Sequence, residues 1–245
     1  MSAWRQIEGR NSVLEALKFP GRVKKLFLSQ TIQKDDRVKE IFRLAVKQQL
    51  NIVRLAPKRL SRMAKTTINQ GMVALADFPP IIKLEPFLDR LYEHKQPAFL
   101  LVVVHMDYEQ NLGAIIRSAE LAGVHALIVP KNINPYTPVV GRVSMGAMEH
   151  LPIIQESLFV TLKILKKQAI SLLAADQEAK QSIWQTDLKM PLAFIIGGEA
   201  KGMSDNLSSR CDQFVNIPMS GKLGSLNMSV AAGIIMFEVV RQRKM

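Results

Sequence analysis

Three short stretches of this 245-residue chain carry residue types that suit chemistry on a bound ligand. The first is Asp107-Tyr108-Glu109-Gln110-Asn111, which leads into an apolar segment holding Arg117. The second is Gly197-Gly198-Glu199-Ala200-Lys201-Gly202. The third runs from Ile217 through Met219, Gly221, Gly224, Ser225 and Leu226 to Asn227. Asn111, Ser225 and Asn227 are neutral donors and acceptors, Glu199 is the one acid of its loop, and Arg117 is a permanent cation. Glycines let backbone groups come close to a ligand. Taken singly, Asn111 and Ser225 read as helix caps and the glycines as turn formers. Three such loops in one chain point instead to a composite site. The sequence holds no Ser-His-Asp set, no paired catalytic carboxylates and no reactive cysteine context. Those absences argue against hydrolysis and for transfer of a group from a bound cofactor.

Other chemistries fit less well. The second stretch is not G-x-G-x-x-G, because Glu199 takes the third position. It is not a P-loop, because Lys201 precedes the last glycine. A dinucleotide-dependent oxidoreductase is therefore disfavoured. The four histidines (His94, His105, His125 and His150) have no ligand spacing, and the single cysteine, Cys211, excludes an internal disulfide framework and a Cys-rich zinc site, so no metal is expected. No apolar run reaches the roughly 18–20 residues of a membrane span. The start, MSAWRQIEGR, has an acid and no apolar core, so a secretory signal is not expected, and a cytoplasmic protein is. Net charge is +12 and the sequence pI about 9.9. Residues 1–80 hold 16 Lys+Arg against 6 Asp+Glu, a net of +10. The basic residues are spread over several elements, not gathered in one amphipathic anchor. A polyanion, and a nucleic acid before any other, is thus the expected partner, and a membrane is not.

The elements that must position these residues follow from periodicity. A helix is expected over Ser12–Lys18 with Asn11 as its cap, then a strand Val23–Leu28 and a helix Asp36–Gln49 with Val38, Ile41, Phe42, Ala45 and Val46 at helical spacing. A strand Asn51–Leu55, a short helix Pro57–Lys65 and a strand Met72–Ala76 complete a small α/β unit, residues 1–78. Pro79-Pro80 opens a linker, 79–97, whose Lys83–Gln96 part reads as a polar segment. From residue 98 to 245 a second α/β alternation begins. Its expected strands are Phe99–Val104, Ala126–Val129, Ser171–Ala175, Leu192–Ile196 and Phe214–Ile217. They are continuously apolar, as strands covered on both faces are. Helices at Leu112–Ala122, Leu158–Gln168 and Leu226–Arg241 between and after them argue a mostly parallel sheet. Each of the three loops then lies at the carboxyl end of a strand, where open α/β sheets bind ligands.

The motifs resemble a known family. Asn111–Ala119 reads N-x-G-A-I-x-R-S-A, Gly197–Gly202 reads G-G-E-x-K-G after a strand, and Ile217–Gly233 reads I-P-M-x-G-x-x-x-S-L-N-x-S-V-A-x-G. These resemble the three motifs of the SpoU family of S-adenosylmethionine-dependent RNA ribose 2′-O-methyltransferases, of the SPOUT class. Ile7–Leu17, Asn69–Ala74 and Ser144–His150 resemble further family stretches, so the likeness covers the whole chain. It implies an N-terminal RNA-binding domain, a C-terminal domain with a deep trefoil knot, and a homodimer through that C-terminal domain. The subfamily it most resembles methylates a guanosine of 23S rRNA; a tRNA 2′-O-methyltransferase and a non-catalytic RNA-binding assembly protein are the alternatives. The resemblance implies catalytic roles for Arg117, Asn111, Glu199, Ser225 and Asn227. It implies S-adenosylmethionine contacts from Gly197, Gly198, Ile217, Met219 and Leu226. In the family the arginine matching Arg117 is proposed to activate the hydroxyl. A guanidinium rarely gives up its proton, so binding a phosphate and stabilising the alkoxide suit it better. One departure stands out: family members carry Asp-Pro where this chain has Tyr108-Glu109.

Overall fold

The structure is a computed structural model that describes residues 4–197 and 204–244. From the N-terminus the elements are β1 (Arg5–Glu8), α1 (Arg10–Leu17), β2 (Val23–Ser29), α2 (Asp36–Lys47), β3 (Asn51–Leu55), α3 (Pro57–Met63), β4 (Met72–Ala76), α4 (Leu84–Glu93), β5 (Phe99–Val103) and α5 (Glu109–Leu121). Then follow β6 (Ala126–Val129), α6 (Pro138–Val143), β7 (Ile153–Gln155), α7 (Leu158–Lys167), β8 (Ser171–Ala175), β9 (Leu192–Ile196), α8 (Asp205–Ser208), β10 (Gln213–Val215) and α9 (Met228–Lys244). The chain forms two compact units: Met1–Pro80 with Leu112–Arg117 and Pro135–His150, and the remaining residues.

In the first unit the strands stand in the order β1-β4-β2-β3. The pairs β1–β4 and β4–β2 are antiparallel, and β2–β3 is parallel. Val38, Ile41 and Ala45 line one face of α2 and pack with Val13, Leu17, Leu26 and Leu28. The Asp35 carboxylate accepts the Val38 N–H at 2.8 Å, closing one orphan donor at the start of α2. Asn11 does not cap α1. The cap is Gly9, whose φ of 88° strains any side chain, and Asn11 falls inside the first turn. The Glu8 carboxylate, fully buried, instead accepts the Lys65 N–H at 2.6 Å and the Thr66 N–H at 3.1 Å, which holds the turn after α3. The strand β1 was not foreseen; only four residues long, it is too short to show a period.

In the second unit the described residues form a parallel sheet of order β10-β8-β9-β5-β6-β7. Every residue of β5, β6 and β9 is buried, as the apolar runs require. The segment read as polar, Lys83–Gln96, forms the helix α4. Its Leu84, Leu88 and Leu91 recur at helical spacing and enter the core beside Leu162 and Leu165 of α7. The charged residues on its opposite face concealed that stripe. At the far end of the chain, the Arg243 guanidinium donates to the carbonyls of Pro97 (2.9 Å), Ala98 (3.0 Å), Leu188 (3.2 Å) and Met190 (2.7 Å). These carbonyls precede β5 and β9, so the C-terminus of α9 is pinned at the amino ends of the strands. Its 17 residues, about 25 Å of helix, run back from the carboxyl ends, where the ligand loops lie.

Candidate active site

A cavity of about 710 Å³ opens in the second unit beyond the carboxyl ends of β8, β9 and β10. Ala175 and Asp176 enter it from β8, Ile196 and Gly197 from β9, and Val215 from β10. The 217–226 loop adds Ile217, Met219, Ser225 and Leu226, and α9 adds Met228 and Ala231. Parallel strands put these ends on one edge of the sheet, which is why residues up to 56 positions apart meet there. Two of the three ligand loops, the second and the third, thus share one cavity. The main-chain N–H groups of Ile217 and Leu226 meet no partner among the described residues, so both remain available to a ligand. Gly198 and Glu199 lie outside the described residues.

The first loop reaches the same edge through one contact. Asn227 Nδ2 donates to Asn111 Oδ1 at 3.2 Å. Asn227 also starts α9: its Oδ1 accepts the Ser229 N–H at 2.8 Å and the Ser229 hydroxyl at 2.7 Å, and its carbonyl accepts the N–H of Val230 and Ala231. One side chain therefore caps α9 and ties it to the first turn of α5. Ser225 stands three residues outside α9, exposed on the cavity lining and not a cap. Asn111 is likewise no cap, because α5 begins at Glu109.

The Tyr108-Glu109 departure becomes intelligible here. Glu109 is the first residue of α5, the helical position where proline is favoured. An acid is also favoured there, since it faces the positive end of the helix dipole. Asp107, the other acid of the loop, is engaged by His105, with Nε2 and Oδ1 2.7 Å apart. Gly113, within the first motif, has a packing role. A Cβ there would stand 2.7 Å from Val143 Cβ and 3.1 Å from the Val140 carbonyl oxygen of α6. Gly113→Ala should cost about 1–3 kcal/mol by forcing α5 off α6. Urea unfolding that matches the parent would contradict so tight a fit.

Arg117 lies on α5 in the segment that groups with the first unit. Six residues along a helix are about 9 Å of rise and about 120° of rotation, so Arg117 and Asn111 occupy different faces. Because α5 starts at Glu109, Arg117 falls in its third turn. It is exposed, and among the described residues no hydrogen bond or ion pair holds it.

Sequence reasoning missed the β8 edge of the cavity, Ala175 and Asp176, together with Asp205 and Ser208 near α8. The signal was present, since Ser171–Ala175 was read as a strand and ends in Asp176-Gln177. Cys211 offers no nucleophile: burial, and then the adjacent Asp212 charge, push its thiol up to about 11. Among the described residues no three His, Cys, Asp or Glu side chains gather to hold a metal. Among the described residues no helix is long and apolar enough to cross a membrane.

The model of the SpoU rRNA Methylase family matches residues 98–237, the span that holds the cavity and all three loops. The chain belongs to the SpoU rRNA methylase family. Residues 6–81 match a second model, RNA 2′-O ribose methyltransferase substrate binding. The chain is 38% identical to the 23S rRNA (guanosine-2′-O-)-methyltransferase RlmB of Shewanella oneidensis, over 97% of each chain. It is 35% identical to the RlmB of Pseudomonas putida, over 100% of this chain and 99% of that one. Its fold matches the crystal structure of an RNA 2′-O ribose methyltransferase with a TM-score of 0.85 and 26% identity, covering 99% of this chain and 90% of the other. It also matches the SpoU methyltransferase AviRb of Streptomyces viridochromogenes in complex with S-adenosylmethionine, with a TM-score of 0.84 and 25% identity, covering 99% and 91%. SpoU enzymes methylate ribose 2′-oxygens and take the methyl group from S-adenosylmethionine.

The lining suits that donor. Ile196, Ile217, Leu226 and Met228 give apolar walls for a purine, and the unpartnered N–H groups of Ile217 and Leu226 can read its edge. The volume lies in the range of cofactor sites, about 300–1,000 Å³.

Proposed function

We propose that this protein transfers the methyl group of S-adenosylmethionine to the ribose 2′-hydroxyl of a guanosine in 23S rRNA. The observation that carries this reading is the cavity itself: two of the ligand loops line it, and the Asn111–Asn227 hydrogen bond joins the third. Bound S-adenosylmethionine supplies a methyl group already made electrophilic by its sulfonium. The protein has to place a hydroxyl in line with it, and orientation of this kind is worth up to about 7–11 kcal/mol. Gly197, Gly198, Ile217 and Leu226 present main chain to the cofactor, with Met219 at the rim. Asn111 and Asn227 hold the loops in register, and Ser225 and Glu199 position the ribose. Arg117 binds the phosphate beside the target ribose and stabilises the developing alkoxide. Its exposure and lack of partners among the described residues suit a group that waits for RNA.

The same reading includes a trefoil knot in the C-terminal domain, 98–245, with residues 1–78 as the RNA-binding domain and 79–97 between them. It includes a cytoplasmic homodimer built on α9, whose Val230 and Phe237 are 49% and 50% exposed. RNA affinity comes from the first domain, and α3 is its contact face. Arg54, Lys58, Arg59, Arg62 and Lys65 are exposed there, and none makes an ion pair among the described residues. On α2, by contrast, Lys39 and Arg43 are neutralised by Asp36 and Glu40. Replacing Lys58, Arg59 and Arg62 together by Ala should weaken RNA binding. It should also flatten the slope of log affinity against log salt by about 2–3, one lost phosphate contact per cation. An unchanged slope in filter binding would move the contact face elsewhere.

The decisive assay is transfer of labelled methyl groups from S-adenosylmethionine to unmodified 23S rRNA by the full chain, followed by mapping. One 2′-O-methylated guanosine is the expected product. Label in tRNA alone would reassign the substrate, and label in neither RNA would overturn the activity.

A further inference from the structure

The cavity is acidic in a strongly basic protein. Asp176 and Asp205 line it, and no Lys or Arg does among the described lining residues, although the chain carries a net charge of +12. Asp176 is held in place: its main-chain N–H donates to the Val215 carbonyl at 3.0 Å, and its Oδ1 accepts the Glu178 N–H at 2.9 Å. Among the described residues neither Asp176 nor Asp205 is in an ion pair. Their charge is therefore left over for whatever fills the cavity, in a wall whose other described residues are uncharged.

We infer that Asp176 and Asp205 make the cavity select the methylated, cationic donor over its demethylated product. The inference rests on the proposed methyl transfer. In that reaction the ribose oxygen forms a bond to the methyl carbon and gives up its proton to solvent water, while the carbon–sulfur bond breaks and its electron pair stays on sulfur. The sulfonium becomes a neutral thioether. The ligand's net charge falls from +1 in S-adenosylmethionine to zero in S-adenosylhomocysteine, and its shape changes by one methyl group. A pocket that recognised only adenine, ribose and the amino-acid end would hold both molecules alike. Two carboxylates in the lining act on the difference: they attract the donor and have no net charge to hold in the product. Product then leaves and donor enters without any change in the protein.

The test is calorimetric titration of the full chain with S-adenosylmethionine, S-adenosylhomocysteine and sinefungin, which carries a protonated amine in place of the methylated sulfonium. Asp176→Asn with Asp205→Asn should weaken the two cationic ligands by roughly threefold to tenfold. S-adenosylhomocysteine should stay within about twofold of its parent affinity. Asn keeps the Oδ1 acceptor for the Glu178 N–H, and both aspartates are exposed, so the variant retains the fold. Equal loss for all three ligands would overturn the inference, because the carboxylates would then hold a group common to donor and product. So would an unchanged ratio. If the parent protein bound neither donor nor product, the cofactor assignment itself would fall. Binding with an unchanged ratio would leave that assignment standing and remove only the discrimination.

Discussion

Arg117→Ala lowers methyl transfer to 23S rRNA by roughly 100- to 1000-fold, the cost of removing a donor aimed at developing charge, and leaves S-adenosylmethionine affinity within about twofold. The structure makes this experiment clean. Arg117 is exposed, and no partner among the described residues depends on it. Ala has the highest helix propensity, so α5 keeps its conformation. Any loss then belongs to chemistry or to RNA placement, not to folding. Arg117→Lys separates the two functions of the side chain. It keeps the charge but loses the planar fork that grips two phosphate oxygens, so its rate should fall between those of the parent and the Ala variant. Single-turnover rates with saturating RNA are the measurement. Turnover of Arg117→Ala within tenfold of the parent would remove Arg117 from the reaction.

Glu149→Ala is expected to destabilise the first unit by about 3–5 kcal/mol. The Glu149 side chain is only 1% exposed and sits between two cations. Arg5 Nη2 donates to one carboxylate oxygen and Arg22 Nη1 approaches the other at 3.3 Å. Arg5 itself is buried, with Nε donating to the Asp77 carbonyl at 3.1 Å and its guanidinium 5.7 Å from the centre of the Tyr136 ring. Removing the carboxylate leaves a buried guanidinium without its counter-charge, which costs more than the pair contributed. Glu149→Gln keeps one acceptor and should lose less. Urea denaturation followed by far-UV circular dichroism reads both, and a loss under about 1 kcal/mol for Glu149→Ala would show that Arg5 finds other partners. The stretch Ser144–His150 is thereby explained as a clasp. His150 contacts the Glu15 carboxylate at 2.8 Å, Ser12 donates to the Gly141 carbonyl at 2.7 Å, and a Cβ on Gly146 would collide with Glu15.

Much of the fold was legible because each element is coded locally. The runs FLLVV, ALIV and LAFII are apolar at every position, and only a strand covered on both faces tolerates that. The 3.6-residue spacing of Val38, Ile41 and Ala45 similarly declared α2. Misreadings came where local signals were diluted. The three leucines of α4 lie among seven other residues, six of them charged or aromatic, and β1 and β7 are too short to have a period. Polar loops at strand ends marked the site, and the motif likeness supplied roles for Asn111, Arg117, Ser225 and Asn227 that composition alone does not imply.

By itself, then, the sequence determined most of the strands and helices, the basic character of residues 1–80 and the loops that could hold a ligand. Tertiary structure alone decided that β8 lies beside β10 and β9, and so that Asp176 enters the cavity. It also decided that Asn227 caps one helix while gripping another residue 116 positions away, and that Pro135–His150 packs with the N-terminal residues. The reason is physical. Periodicity and capping are set by neighbours within a turn or a pleat. Contacts between distant segments depend on strand order and on which buried groups must find partners, and no local pattern records either.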